Sequence, residues 1–436
     1  MNPRARTRAA PTLLAALALT LVITACEAES APVEDRARFL DAEPVPTLEI
    51  SNLWGGDWPE LPGLVIDTLV APQDGDDIDL LAPLHAAFLS DGRMVLGDAG
   101  TRQLRIASAD GSWEVGPGPG SGPGELRSLG GVWASDEGFI VHDPQASTLL
   151  RFDAAGDWVE QHPAAGASGP WVPRMERLGD GDWLAGIPET AQPTAGSPVL
   201  GATLRLVRGT GDPDDERVIG TGPLQPYFVQ GGGAAPIPFA SIALFAGAAG
   251  SVVHFAGEAS EVDRIDSLGE TNLRLRWTDV REPLDASHRD ALGDYIRQSA
   301  PADTPPEFLD QMIAGLQDGI PYPDRLPALG SLRLGSDGAI WLGGPIRSGL
   351  ETDIEPELIP DWRVVITDPE TDEVRVHRVT LPAGATLLGP VHHRGPAQAP
   401  GWSDSIEPGA FFVLFRDEMD RQGIGILRHA EGRPPP

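Results

Sequence analysis

Two histidines close short apolar runs: His142 follows Gly138-Phe139-Ile140-Val141, and His254 follows Ser251-Val252-Val253. Neutral imidazole nitrogens ligate zinc, copper or iron. If the two runs are equivalent strands of a repeat, His142 and His254 would face a shared axis and hold one divalent metal in a central channel. His85, or the pair His392-His393, would then add a third ligand. The competing reading is two isolated histidines at strand ends. Gly97, Gly186 and Gly343, at the matching places of three other runs, favour it because they show no repeated histidine rule. No Gly-x-Ser-x-Gly elbow occurs, and the sole cysteine, Cys26, precedes the folded body, so no nucleophile is assigned. Carboxylates are abundant, but Asp136-Glu137 and Asp214-Asp215-Glu216 fall in predicted turns, where solvation accounts for them. A glycosidase pair needs a separation that sequence does not supply.

The elements that must position these residues are short strands. The chain has 52 Gly and 43 Pro in 436 residues, far too many turn formers for a mostly helical protein. A four-strand pattern with Asp-Gly turns starts at His85, with Asp91-Gly92, Met94-Val95-Leu96, Gln103-Leu104-Arg105-Ile106 and Trp113-Glu114-Val115. It returns at Gly131, at Met175 with an enlarged middle loop, and at Ile242. Between Pro283 and Tyr322 the apolar spacing turns helical, first at Ala291, Leu292, Tyr295 and Ile296, then at Phe308, Leu309, Met312, Ile313 and Leu316. Thr304, Pro305 and Glu307 predict the start of the second helix, and Gly319 its stop.

The strand pattern resumes at Leu332 for a fifth unit. The remaining chain holds three good strands, around Leu387, Phe412 and Ile426. The early run Leu64 to Val70 lies outside every unit, so it is expected to complete the sixth and close a ring. The predicted fold is all-β: a six-bladed β-propeller of four-stranded antiparallel blades, closed by an N-terminal strand, with a helical insertion at about 284–320 between blades 4 and 5.

The first 25 residues read as a lipoprotein signal peptide: Arg4, Arg6 and Arg8 precede an uncharged run from Ala9 to Ala25. Ile23-Thr24-Ala25-Cys26 resembles the bacterial lipobox, which makes Cys26 the lipid attachment residue. Acyl chains there would tether the protein to a membrane with no spanning segment. Residues 26–60 are then expected to be the lipidated cysteine and a flexible tether, 61–430 the propeller and 431–436 a disordered tail. With Cys26 committed to lipid, no intramolecular disulfide forms. A net charge of −32 opposes nucleic-acid binding and reads as solubility or salt adaptation.

These residues resemble the six-bladed NHL-repeat-like lipoproteins of bacterial cell envelopes over most of 61–430. The recurring element is an Asp-Gly turn, a short strand, an Asp, then an Arg beside an apolar residue: Asp98 with Arg105-Ile106, and Asp143 with Arg151-Phe152. Gly116-Pro117-Gly118-Pro119-Gly120-Ser121-Gly122-Pro123-Gly124-Glu125-Leu126 is similar to the glycine-rich link of that group; it lacks phosphate-loop spacing and reads as an interblade turn. Some six-bladed propellers are lactonases or esterases whose central calcium is held by acidic and asparagine oxygens. Here only Asn2, Asn52 and Asn272 exist, so that site is not assembled by correspondence. Trp113, Trp133, Trp158, Trp183 and Trp341 recur within the blades and read as core rather than sugar platforms. The resemblance implies a cell-envelope location facing the periplasm or exterior. It leaves function open. The expectation is a monomeric binding or scaffolding module for a protein, peptide or glycan, without a cofactor; the alternative is a hydrolase or lyase with a channel metal.

Overall fold

The Asp-Gly turns fold as the pattern predicts. Gly92 takes the left-handed φ of 89° that such a turn requires, and Asp91 accepts a hydrogen bond from the Arg93 amide at 3.0 Å. The structure is a computed structural model that describes residues 37–40, 44–70, 80, 83–108, 112–164, 172, 174–178, 182–190, 199–209, 216–230, 233–257, 259–278, 281–300, 304–344, 361–367, 374–381, 385–391, 409–416 and 422–429.

Six antiparallel sheets surround a common axis. Their innermost strands are Pro83–Phe88, Gly131–Ser135, Arg174–Arg177, Leu244–Ala248, Ser331–Leu334 and Thr386–Pro390. Each neighbours the next, and the sixth returns to the first. Side chains alternate across every strand, so each blade donates to two interfaces. On the second strand of blade 2, Gly138–Asp143, Phe139 and Val141 join the core shared with blade 1. Ile140 packs into the core shared with blade 3. The ring closes as expected: Leu64–Val70 pairs antiparallel with Gln422–His429 in blade 6. Arg428 Nη2 donates to Asp67 across that seam at 3.1 Å.

The tether expected through residue 60 differs from what is observed. Thr47–Ile50 adds in parallel to the outermost strand of blade 4, Thr271–Trp277, and Ala37–Leu40 pairs with it in turn. Leu48, Ile50, Leu53 and Trp58 are buried in the core between blades 4 and 5. Arg363 of blade 5, 3% exposed, donates to the carbonyls of Leu53 and Trp54, both at 3.1 Å, and stacks over the Trp54 ring. Pro59 to Leu61 then runs along Val374–Val379, exchanging backbone bonds with Arg378 at 2.9 and 2.8 Å. The chain therefore straps blades 4, 5 and 6 before closing the ring. Burial of Leu48, Ile50, Leu53 and Trp58 favours docking over a free tether, because each large apolar side chain gains roughly 1.5–3 kcal/mol on leaving water.

Two helices interrupt the ring as the spacing predicts, α1 (Ala286–Ser299) and α2 (Pro306–Gly319). Their stem is a short antiparallel pairing in which Leu284 bonds Asp324 and Leu326 bonds Glu282, both at 3.0 Å. Helix α2 begins one residue later than expected, with Pro305 flanking it and Pro306 at its start, so Thr304 makes no cap bond. Helix α1 carries a capping box that was not anticipated, because its third member is His288 rather than Glu or Gln. Asp285 accepts from the Ser287 amide at 2.9 Å, and His288 Nδ1 reaches the Asp285 amide at 3.4 Å.

Candidate functional site

The chain enters every innermost strand from one face of the ring, here the upper face. Second and fourth strands end there, and the first-to-second and third-to-fourth turns lie on the lower face. His142 and His254 therefore both sit near the upper face, but they do not converge. Along Gly138–Asp143, His142 lies two residues past Ile140 and so faces blade 3. Along Ser251–Phe255, Val252 packs against blade 3 whereas Val253 and Phe255 face blade 5, so His254 also faces blade 3. The two imidazoles flank blade 3 from opposite sides.

Each ring is packed against glycine. A Cβ on Gly130 would stand 2.7 Å from His142 Nδ1, and one on Gly220 would stand 2.8 Å from His254 Nδ1. His142 is fully buried with neither nitrogen in a hydrogen bond, and His254 Nε2 is likewise unpartnered. Burial lowers the pKa of His142 to about 4, outweighing the opposite pulls of Asp143 and the Val172 backbone. It does the same to His254, to about 4, against the pull of Asp263. No group of three His, Cys, Asp or Glu side chains gathers at metal-binding distance among the described residues. His85 lies elsewhere, its ring 5.6 Å from that of Trp133 on the blade 1 to blade 2 interface. His392, His393 and Cys26 lie outside the described residues.

The repeated aspartates are structural fasteners. Asp143 accepts from the amides of Arg127, Ser128 and Ala146 and from the Ser128 hydroxyl, at 2.7 to 3.2 Å. Asp98 does the same for Gly100 and Thr101 in blade 1. In the glycine-rich link, Glu125 turns its own carboxylate onto the Gly122 amide at 2.6 Å, so the concavity is filled from within. Trp133, Trp183 and Trp341 are core residues as expected, whereas Trp158 is 43% exposed on the outermost strand of blade 2.

The innermost strands also carry charge that the repeat pattern does not single out. Arg174, Glu176, Arg177 and Arg333 are the charged residues there, all partly exposed. Arg174 lies 4.9 Å over the Phe245 ring of blade 4 and 3.5 Å from Glu176. Arg177 lies over Trp183 and donates to the Ala134 carbonyl of blade 2. The signal was available: Arg174-Met175-Glu176-Arg177 has three charged residues in four, where the other innermost strands are almost wholly neutral.

The upper face is also the elaborated one. In blade 3 the second strand runs on from Ile187 to Thr190 past the end of its pairing with the innermost strand. It is accompanied by Val199–Gly209, Arg217–Gln230 and a fifth strand, Gly233–Pro236. The helical insertion packs beside it through Leu292 and Leu326 against Phe239, in the link that leads into blade 4. Tyr227, Phe308 and Met312 remain 37%, 59% and 38% exposed on these additions.

No family model matches the chain, and no curated protein matches it. Solved structures do. A Bacteroides vulgatus member of the duf4221 family is 10% identical, with a TM-score of 0.44 over 84% of this chain and 99% of its own. A Bacteroides fragilis protein described as exported is 11% identical, with a TM-score of 0.43 over 88% and 99%. A streptogramin B lyase is 11% identical, with a TM-score of 0.39 over 84% and 98%. Identities this low carry no residue roles across. The chain is a six-bladed β-propeller on its own topology. Among the described residues no helix is long and apolar enough to cross a membrane.

Proposed function

We propose that this protein is a cell-envelope binding propeller of the NHL-like lipoprotein type, tethered through Cys26, whose upper face receives a protein, peptide or glycan partner. The observation that carries the reading is that both additions to the ring, the lengthened blade 3 and the helical insertion, rise from the same face and leave Tyr227, Phe308 and Met312 in solvent. Aromatic residues and Met are enriched in recognition surfaces, and a rigid ring presents them without an ordering cost. Export is supported by the arginine-led apolar run before Cys26.

The test is photo-crosslinking in intact cells, with benzoylphenylalanine replacing Phe308 on the upper face or Leu268, 66% exposed in a lower-face turn. A discrete adduct from the Phe308 position, absent from the Leu268 position, is expected. Equal labelling from both, or none, would falsify the reading. Cys26→Ser is expected to move the protein from the membrane fraction to the soluble one.

A further inference from the structure

We propose that the partner on the upper face is a protein embedded in the same membrane as the Cys26 anchor, and that it lays a segment bearing both apolar side chains and Lys or Arg on the outer face of α2. This partner class rests on the upper-face role and the lipid at Cys26 proposed above.

The tether leaves the ring beside the helical insertion. Ala37 pairs with Ile50, and Ile50 with Trp277, which ends the outermost original strand of blade 4 at the upper face. The Ile50 carbonyl accepts from the Thr278 amide at 3.2 Å, and Glu282, four residues further on, opens the stem that carries α1 and α2. Ten residues separate Cys26 from Ala37. Even fully extended, that stretch covers at most about 40 Å. A membrane holding Cys26 therefore lies within that distance of the upper rim of blade 4, on the side where the insertion stands.

Helix α2 presents a second apolar stripe there. Ile313 is buried, with Leu309 and Leu316 partly so, and a Cβ on Gly293 of α1 would stand 3.0 Å from Ile313. Phe308, Met312 and Gly315 follow one another at helical spacing on the opposite side. Phe308 and Met312 are exposed, and a Cβ on Gly315 would meet nothing within 4 Å, which leaves a notch one turn beyond Met312. The stripe is bordered by negative charge. Helix α2 contains Glu307, Asp310 and Asp318 and no Arg, Lys or His, and from Arg281 to Arg325 nine acidic residues face four arginines. Glu307 makes no ion pair among the described residues. Asp310 shares Arg297, at 3.3 Å, with Asp294 of α1.

That charge selects a protein over the bilayer. Helices that lie in a membrane surface carry Lys and Arg on their polar face, and α2 has the reverse. Protein segments that leave a bilayer are anchored at its surface by Trp, Tyr, Lys and Arg, apolar and positive together. Such a segment supplies apolar groups for Phe308, Met312 and the Gly315 notch, and a cation for Glu307.

In the test, benzoylphenylalanine replaces Met312 in the full-length chain, a protease site is inserted between Ser30 and Ala31, and crosslinking is done in intact cells. Isolated membranes are then treated with the protease. Uncrosslinked propeller is expected in the supernatant, whereas the adduct stays with the membrane through alkaline carbonate extraction. Glu307→Arg is expected to lower the adduct yield about fivefold, because an attraction becomes a repulsion of similar size. Glu270→Arg, the same change in an exposed lower-face turn, leaves it unchanged. An adduct released with the propeller, or a yield indifferent to Glu307→Arg, overturns the membrane-embedded cationic partner and leaves the upper-face role standing. A mass increase of one lipid puts the bilayer itself on α2 and overturns both. So does the lack of any adduct from the Phe308 and Met312 positions alike.

Discussion

Blades 1 and 2 end in bare strands, Trp113–Val115 and Trp158–Pro163, with nothing described beyond them in their sheets, and Val115, Trp158 and Val159 exposed. Blades 4, 5 and 6 end under the N-terminal strap: Thr47–Ile50 covers the first, Pro59 to Leu61 borders the second and Leu64–Val70 is itself the edge of the third. One ring therefore has a covered half and an open half. The difference teaches that closure of a propeller is not a uniform property. Edges hidden by added strands are protected from opening, and edges left bare are where local opening should start.

The largest expected effect breaks the comparison outright. Arg363→Met removes the guanidinium from the Leu53 and Trp54 carbonyls and its stacking from the Trp54 ring, leaving Leu53 only the bond from Trp58 Nε1. A loss of about 4 kcal/mol is expected in denaturant unfolding, with early proteolysis between residues 44 and 61. Native stability with an intact strap would show that Arg363 is not its main fastening.

Acid sharpens the comparison at its two boundaries, since His142 lies between blades 2 and 3 and His254 between blades 3 and 4. Unfolded histidines take up protons near pH 6.5, whereas these take them up only near 4. The unfolded chain thus binds more protons across that window. Stability falls as pH drops from 6.5 to 4 and levels off below, by roughly 3 kcal/mol per histidine at most. Facing His142 are Asp143 and the Val172 backbone, and facing His254 is Asp263, which Arg274 already holds at 2.7 Å. His142→Leu should flatten part of the slope in unfolding measured from pH 4 to 7, with hydrogen exchange at pH 5 slowing first beside blade 2. An unchanged slope would remove His142 from the account.

The smallest expected effect is at Arg378, whose ion pair with Glu60 at 2.8 Å lies in solvent. Arg378→Gln should leave the unfolding midpoint unchanged within error, because exposed pairs are screened and the backbone bonds of Pro59 and Leu61 persist. A clear loss would mean that the strap depends on its surface charges.

The blades were legible because the hairpin signal is local: a turn pair such as Asp91-Gly92 between apolar runs declares both strands at once. Closure by Leu64–Val70 was legible by counting, since one blade lacked a strand. The strap was not. Thr47–Ile50 is four residues of mixed polarity in a Pro-containing stretch, and its partner, Thr271–Trp277, is remote in sequence. The site was half legible. His142 and His254 were found, but not their orientation. Counted from their hairpin turns, Gly138 and Ser251 are equivalent, which puts His142 four places along its strand and His254 three. One residue of register exchanges the faces of a strand. Apparent equivalence at a strand end therefore became opposite flanks of blade 3.

The strap also sets a timetable. Its contacts with Arg363 span 310 and 309 residues, and the seam between Asp67 and Arg428 spans 361. Loops of that length close late, after local hairpins have formed. A chain delivered N-terminus first, from a ribosome or across a membrane, holds its fastening strands idle until blades 4, 5 and finally 6 have followed. The protein is thereby kept pliable for as long as it is in transit and becomes a rigid ring only when its last strand arrives.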